Sequence, residues 1–471
     1  MRGVALAGGP VLFAVVLLLP PPGDLAVAGW RVAGLAAWMA VWWLSAVVPL
    51  EATALLPIIV LPLAAGMPVG AVTASYADPI IFLFLGGFLL AATLERWELH
   101  RRFALAAVRA VGTEAPRVLL AFMVTSAVAS MWISNTATAV MMLPIALAIV
   151  PKAAGRDGGF ATALMLGVAY GCSIGGVATL IGTPPNAILA GAAKDLAGVD
   201  ITFSSWLPIG LTAAIPMLAS GWILLTRMFR VAGPVPGLAA ALRPEAERLG
   251  RLGRGEWFVL GIFGATGLAW IMRAPKTVGA LQVPGLSSLF PGISDAAIAL
   301  AAALLLFAVP LRGARFPRAL DWESARAIPW GILLLFGGGL ALAGAFERSG
   351  LTEVIGSLLA SLRGTPLPVA IAATAALFVL LTELTSNTAT AALGMPLVAG
   401  VAGGLGIPPL PLMAAAALSA SMAFMLPVAT PPNAIVFGSG HITAGAMARA
   451  GAGLNVVAVA IITMTVWLWT S

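Results

Sequence analysis

Two short stretches of this chain occur twice. Ser134-Asn135-Thr136-Ala137-Thr138-Ala139 returns unchanged at residues 386–391, and Thr183-Pro184-Pro185-Asn186-Ala187-Ile188 returns unchanged at residues 430–435. In the first, Asn135 and Asn387 each offer a carbonyl oxygen for a hard cation and an NH2 group for an anion's oxygen, and the neighbouring hydroxyls of Ser134, Thr136, Ser386 and Thr388 can serve either. Oxygen-only ligation of this kind suits sodium. In the second, Pro184 and Pro431 with their neighbouring prolines remove backbone donors inside apolar stretches and break the helix there. Half-helix N-termini attract anions through free N–H groups and the helix dipole, while half-helix C-terminal carbonyls can coordinate cations.

Neither 118–151 nor 364–448 contains a Lys or Arg. An anion held there would rest on dipoles, hydroxyls, amides and co-bound cations. Small and polar residues also serve packing between membrane helices, and one copy of either motif would fit that use equally well. Two copies of two motifs in the same order point instead to a paired site.

The elements that must carry these motifs are apolar throughout. The chain has 471 residues, 61% hydrophobic and 9% charged, against roughly 25% charged in soluble domains. That excludes an ordinary soluble enzyme and makes lipid the surrounding solvent. The net charge of +7 is concentrated in short connectors, at Arg96, Arg101 and Arg102, at Arg243, Arg248, Arg251 and Arg254, and at Arg312, Arg315 and Arg318. These read as cytoplasmic loops and not as a nucleic-acid surface, with the N-terminus inside and the C-terminus outside. A lone Cys172 and the distant His100 and His441 predict neither a disulfide nor a structural metal. Arg2, the apolar stretch 11–19 and Ala26-Val27-Ala28 resemble a secretory signal, but the spans that follow favour a first membrane anchor.

Runs of about 20 apolar residues fall near 3–20, 30–48, 51–67, 78–96, 203–226, 255–272, 294–311, 328–346 and 451–470. The longer runs 116–152 and 364–404 are long enough to enter and return, and 160–198 and 411–440 carry the proline breaks. At an offset of 252, Gly86-Gly87 matches Gly338-Gly339, Glu95-Arg96 matches Glu347-Arg348 and Pro144 matches Pro396. The expected fold is therefore an all-α polytopic membrane protein of about 11 transmembrane helices plus two re-entrant hairpins in two repeats. Residues 1–29 form an extra first helix, 30–230 the first repeat, 231–254 a cytoplasmic linker and 255–471 the second repeat. Five crossings per repeat force the second copy upside down, the arrangement of secondary transporters whose substrate and ion sites lie where the repeats meet.

These residues resemble the divalent anion:sodium symporter family of di- and tricarboxylate transporters, over nearly the whole chain. The resemblance implies one sodium site from Ser130, Ser134, Asn135 and the backbone of Gly182, and another from Thr382, Thr385, Asn387 and the backbone of Ala429. It places the substrate carboxylates against Asn135, Thr136, Thr183, Ser386, Asn387, Thr388 and Thr430, with Pro184 and Pro431 shaping the pocket. It also implies a homodimer and elevator-type movement. The expected function is sodium-driven symport of C4-dicarboxylates such as succinate, malate and fumarate in a bacterial inner membrane, with no organic cofactor. Sodium-independent exchange and citrate or sulfate transport are the alternatives. Glu383, acidic where the first hairpin has Met131, reads as a structural cap on backbone or serine groups. Ser439 and His441 raise an intramembrane hydrolase only if the imidazole can reach the hydroxyl.

Overall fold

A computed structural model of the protein describes residues 2–23, 25–153, 159–278 and 281–470. Among these residues, eight helices are long and apolar enough to cross a membrane, and several shorter apolar helices accompany them. Local chemistry sets many of their ends. The Asp78 carboxylate accepts from the Ile80 amide at 2.8 Å just before Pro79–Arg96 begins, and Thr202 and Ser205 form a capping box ahead of Phe203–Met228. The first helix, Arg2–Leu18, is packed into the fold. Trp42 Nε1 of Val27–Ser45 donates to the Leu6 carbonyl at 3.1 Å, and Gly9 lies under the Trp38 ring.

Both long motif-bearing runs fold as pairs of helices. Ala115–Ser130 and Asn135–Ala153 meet across Met131–Ser134, and Leu367–Leu384 and Asn387–Leu405 meet across Thr385 and Ser386. Each Thr-Pro-Pro motif starts a new helix after a break. Gly159–Gly176 is followed by Pro184–Ala197, and Pro409–Ala420 by Pro431–Phe437. Gly159–Gly176 packs against both arms of the first pair, and Pro409–Ala420 against both arms of the second. The continuations cross over, with Pro184–Ala197 on Asn387–Leu405 and Pro431–Phe437 on Asn135–Ala153.

Glycines permit the closest approaches. A Cβ on Gly175 would lie 2.1 Å from the Ala127 carbonyl oxygen. One on Gly86 would lie 2.4 Å from Ala299 Cβ, and one on Gly338 2.5 Å from the Ala54 oxygen. Gly86 and Gly338 are matched positions, and each packs against the other half of the chain. Phe84 and Phe336, also matched at offset 252, meet edge to face with centroids 5.0 Å apart.

Two features depart from the expected layout. The fold is not purely helical, because Lys276–Val278 and Leu281–Val283 pair as a short antiparallel ribbon. In addition, the connectors contain amphipathic helices, Leu99–Ala110 and Leu238–Leu249, each with a narrow buried stripe such as Leu99, Ala104, Leu105 and Val108. Both departures lie outside the apolar runs. A short apolar stripe there suffices to dock a helix that is too polar and too brief to register as a span.

Candidate functional site

The two turns and the two helix breaks converge on a cavity of about 460 Å3. Its walls include Ser134, Asn135, Thr136, Gly182, Thr183 and Pro184 from the first half, and Thr385, Ser386, Asn387, Thr388, Ala429, Thr430 and Pro431 from the second. The four helices that open at Asn135, Pro184, Asn387 and Pro431 all begin at this wall. Among the described residues, no Lys, Arg, His, Asp or Glu lines it. An anion inside would therefore meet hydroxyls, amides and helix N-termini and no formal charge.

Ser130 and Thr382 lie just behind the cavity and are fully buried. The Ser130 hydroxyl donates to Asn135 Oδ1, and the Thr382 hydroxyl to Asn387 Oδ1 at 2.7 Å. The Thr382 oxygen is also 2.6 Å from the Ala420 carbonyl. One hydroxyl proton cannot serve two acceptors equally, so oxygens are in surplus at this point. The first half has the same character. A Cβ on Gly176 would lie 2.7 Å from Asn135 Oδ1 and 3.3 Å from the Gly182 oxygen, and one on Gly182 would lie 2.5 Å from the Gly176 oxygen and 3.0 Å from the Ser130 carbonyl. Carbonyl and amide oxygens, with Asn135 Nδ2 at 3.2 Å from the same Gly176 Cβ position, thus border a space that only glycine leaves open, and the oxygens among them are the donors a hard cation requires. In both halves the asparagine directs Oδ1 at this oxygen cluster, and Nδ2 makes no hydrogen bond within the protein among the described residues.

Gly176→Ala fills this space. The expected result is a folded protein with a weakened response to sodium, read as a right-shifted sodium titration of uptake. Wild-type titration would remove the first cluster from the mechanism.

Not every implicated side chain faces the same task. Ser134 Oγ accepts from the Ala137 amide at 3.2 Å and caps its own helix, while Ser386 makes no such cap. The Thr385 hydroxyl contacts the Leu381 carbonyl at 2.8 Å and Thr390, so it is turned away from the Thr382 cluster. Ile133 occupies the matching position in the first half. Thr430 Oγ1 accepts from the Asn433 amide at 3.3 Å, and Thr183 Oγ1 lies 3.3 Å from Ser421 Oγ.

Several residues of the site were not singled out from the sequence. Trp43, Phe88, Trp132 and Ile332 are also part of the wall. Asn186 and Asn433, the last polar residues of the Thr-Pro-Pro-Asn motifs, hold the two breaks in matching ways. Asn186 Nδ2 donates to Thr179 O at 2.8 Å and Val177 O at 3.2 Å, and Asn433 Nδ2 to Leu426 O at 3.0 Å and Ala423 O at 3.1 Å. Their repetition was a sufficient signal. Glu383 accepts from the amides of Phe424 at 2.7 Å, Met425 at 2.9 Å and Leu426 at 3.1 Å, and from Asn455 Nδ2 at 2.8 Å. It caps the second break. The Ser439 hydroxyl donates to the Val436 carbonyl at 2.5 Å and accepts from the His441 backbone amide at 3.4 Å, so the hydroxyl proton is engaged by a carbonyl and not by the His441 imidazole.

The cavity is not centred between the halves. Trp330–Arg348 packs directly on Asn387–Leu405 and Pro184–Ala197, with a Gly339 Cβ 3.0 Å from Ala392 Cβ and a Gly191 Cβ 2.5 Å from Leu340. Its counterpart Pro79–Arg96 is held off Asn135–Ala153 by a second cavity of about 600 Å3, lined by Phe88, Ala91, Ala92 and Glu95 on one side and Ser134, Thr136 and Ala137 on the other. Phe88, Ser134, Thr136 and Ile332 border both spaces, so the two are neighbours.

A largely helical architecture with apolar helices long enough to cross a membrane, around a polar cavity with paired helix breaks at its wall, is the architecture of a membrane transporter. Residues 5–471 match the family model described as the sodium:sulfate symporter transmembrane region. The chain belongs to this family, the divalent anion:sodium symporters. It is 40% identical over 461 residues to the sodium-dependent dicarboxylate transporter SdcS of Staphylococcus saprophyticus, covering 95% of this chain and 87% of the relative. The SdcS protein of Staphylococcus aureus is likewise 40% identical, over 460 residues. Two solved structures share the fold at low identity. The YdaH transporter of Alcanivorax borkumensis has a TM-score of 0.56 at 16% identity, covering 85% of this chain and 86% of its own. MtrF of Neisseria gonorrhoeae has a TM-score of 0.57 at 13%, covering 98% and 94%.

Proposed function

We propose that the protein is a sodium-coupled symporter of C4-dicarboxylates such as succinate, malate and fumarate in a bacterial inner membrane. The observation that carries this reading is the pairing of an uncharged anion-sized cavity with two oxygen clusters, each sharing an asparagine with it. Sodium at the Ser130–Asn135–Gly182 cluster and at the Thr382–Asn387–Ala420 cluster would satisfy the surplus oxygens and fix both amides. The two Nδ2 groups, with Thr136, Ser386, Thr388, Thr183 and Thr430, then face the carboxylates. Sodium thereby supplies the positive charge that the wall lacks. The relatives named as sodium-dependent dicarboxylate transporters support the same pairing of ion and substrate.

We further infer about eleven transmembrane helices and two re-entrant hairpins in two inverted repeats. The reciprocal crossing of the helix continuations supports a two-fold relation between the halves, because only a two-fold operation exchanges both contacts at once. The contact of Phe84 with its own counterpart Phe336 supports it too. The one-sided opening beside Pro79–Arg96 supports alternating access, with the helix pairs and broken helices moving as one body in an elevator manner. Positive-inside bias puts that opening, which leads to Arg96, on the cytoplasmic side. The family likeness supports a homodimer.

The test is uptake of radiolabelled succinate into proteoliposomes under an inward sodium gradient, with potassium as the control and vesicles either empty or preloaded with dicarboxylate. Uptake into empty vesicles with sodium only is the expected result. Uptake confined to preloaded vesicles and indifferent to sodium would establish exchange and overturn the reading. Thr382→Ala, which removes one oxygen from the second cluster, moves the sodium titration to higher concentration more than it alters the choice among succinate, citrate and sulfate. An unchanged titration would discard the second cluster.

A further inference from the structure

The arginine-rich face carries a cavity with no part in the site above. It measures about 460 Å3 and gathers Arg102, Arg248, Arg251, Arg254 and Arg315 against only Glu98 and Glu256. These residues come from four separate places: helix Leu99–Ala110 and its leading residue, the end of Leu238–Leu249, the start of Arg254–Ile271, and the connector at 313–315.

Its walls are firmly built. Arg102 donates to Glu256 Oε1 at 2.6 Å and, through its two Nη groups, to the Gly250 and Leu249 carbonyls at 2.7 and 2.5 Å, while Glu256 Oε2 accepts from the Gly253 amide at 2.6 Å. Arg248 and Arg315 each reach Glu98 at 2.9 Å. Their guanidinium groups, Arg248 foremost, hold the Glu98 carboxyl down at about 2 despite partial burial. Both carboxylates are therefore fully engaged. Arg251 and Arg254 are exposed at the rim and make no ion pair or side-chain hydrogen bond among the described residues.

Loop arginines that only orient a chain in the membrane have no need of a shaped cavity. Here one exists, and exposed aromatics neighbour its lining residues along the chain. Phe103, next to Arg102, is 50% exposed, and Trp257, one turn beyond Arg254 at the start of an apolar helix, is 62% exposed. Tryptophan at the end of a spanning helix marks the headgroup level, and basic pockets at that level suit anionic headgroups. We propose that this cavity binds the phosphate-bearing headgroup of an anionic membrane lipid. Arg251 and Arg254 pair with the phosphate oxygens, and Trp257 and Phe103 lie along the glycerol and upper acyl region.

The test is native mass spectrometry of the detergent-purified full chain titrated with phosphatidylglycerol or phosphatidylcholine. The wild type retains phosphatidylglycerol preferentially. Each arginine near an anionic lipid contributes about a factor of five, so Arg251→Gln/Arg254→Gln lowers that retention roughly 25-fold. Arg243→Gln/Arg312→Gln removes two arginines from the same connectors outside the cavity and leaves retention unchanged. All four positions are exposed, and equal melting temperatures check that the variants fold. Equal loss in both double variants, or none in the first, overturns the site. If instead inorganic phosphate stabilises the wild type but not Arg251→Gln/Arg254→Gln, and no lipid preference is seen, the occupant is a soluble phosphate and the lipid assignment fails.

Discussion

Asn387→Ala lowers dicarboxylate uptake by roughly 10- to 150-fold, the range expected when one hydrogen bond to a charged group is lost, and Asn135→Ala does the same. Each substitution acts twice. It removes Oδ1 from the oxygen cluster, where Asn387 Oδ1 lies 2.7 Å from the Thr382 hydroxyl. It also removes an amide donor from the cavity wall. A mutation that only loosened packing would lower folded protein along with uptake. The measurement is therefore initial uptake per folded transporter, with the sodium and succinate titrations both recorded. The asparagine variants weaken both together, because one side chain links the two ligands. Wild-type uptake by a well-folded Asn387→Ala protein would remove this residue from the site, and a change in one titration alone would show that ion and substrate are not coupled through it.

Cross-linking Gly339→Cys to Ala392→Cys abolishes uptake, and a reductant restores it. In the present state these positions join Trp330–Arg348 to Asn387–Leu405, and a Cβ on Gly339 would lie 3.0 Å from Ala392 Cβ. A disulfide prefers about 3.8 Å between Cβ atoms, so the helices must give by less than 1 Å to accept it. The native Cys172 is buried and leaves the engineered pair to react alone. If the helix pairs move against Pro79–Arg96 and Trp330–Arg348 during transport, the bridge holds the cavity open on one side. Each single-cysteine variant should transport under oxidising conditions. A fully cross-linked protein that still transports would mean that this contact persists through the cycle, and the moving body would have to be redrawn.

Glu383 illustrates how the membrane interior constrains such sites. An acidic side chain there is tolerated when its oxygens are satisfied, and this one is surrounded by three backbone amides and Asn455. It lies on the second helix pair yet caps the break that follows Pro409–Ala420, so it ties two parts of one half together. The first half has Met131 at that position and uses different chemistry, with the Thr179 hydroxyl donating to the Met131 carbonyl. The halves share their motif residues but differ in how the supporting backbone is held.

The amino-acid sequence alone determined the repeated motifs, the proline breaks and the apolar runs, because each depends on a few neighbouring residues. A missing N–H or an unpaired amide in an apolar stretch has a local consequence whatever surrounds it. The arginines of the connectors were legible for the same reason. Only the tertiary structure decided that residues about 250 positions apart share one cavity, and that Trp43, Phe88, Trp132 and Ile332 help line it. It alone turned the Thr385 hydroxyl toward Leu381 and gathered five arginines into a cavity of their own. Those outcomes depend on glycine-permitted helix contacts between distant segments, and no local period encodes them. The one-sided opening beside Pro79–Arg96 is furthest from the sequence. It arises from the sum of many side-chain contacts between distant segments and from no single motif.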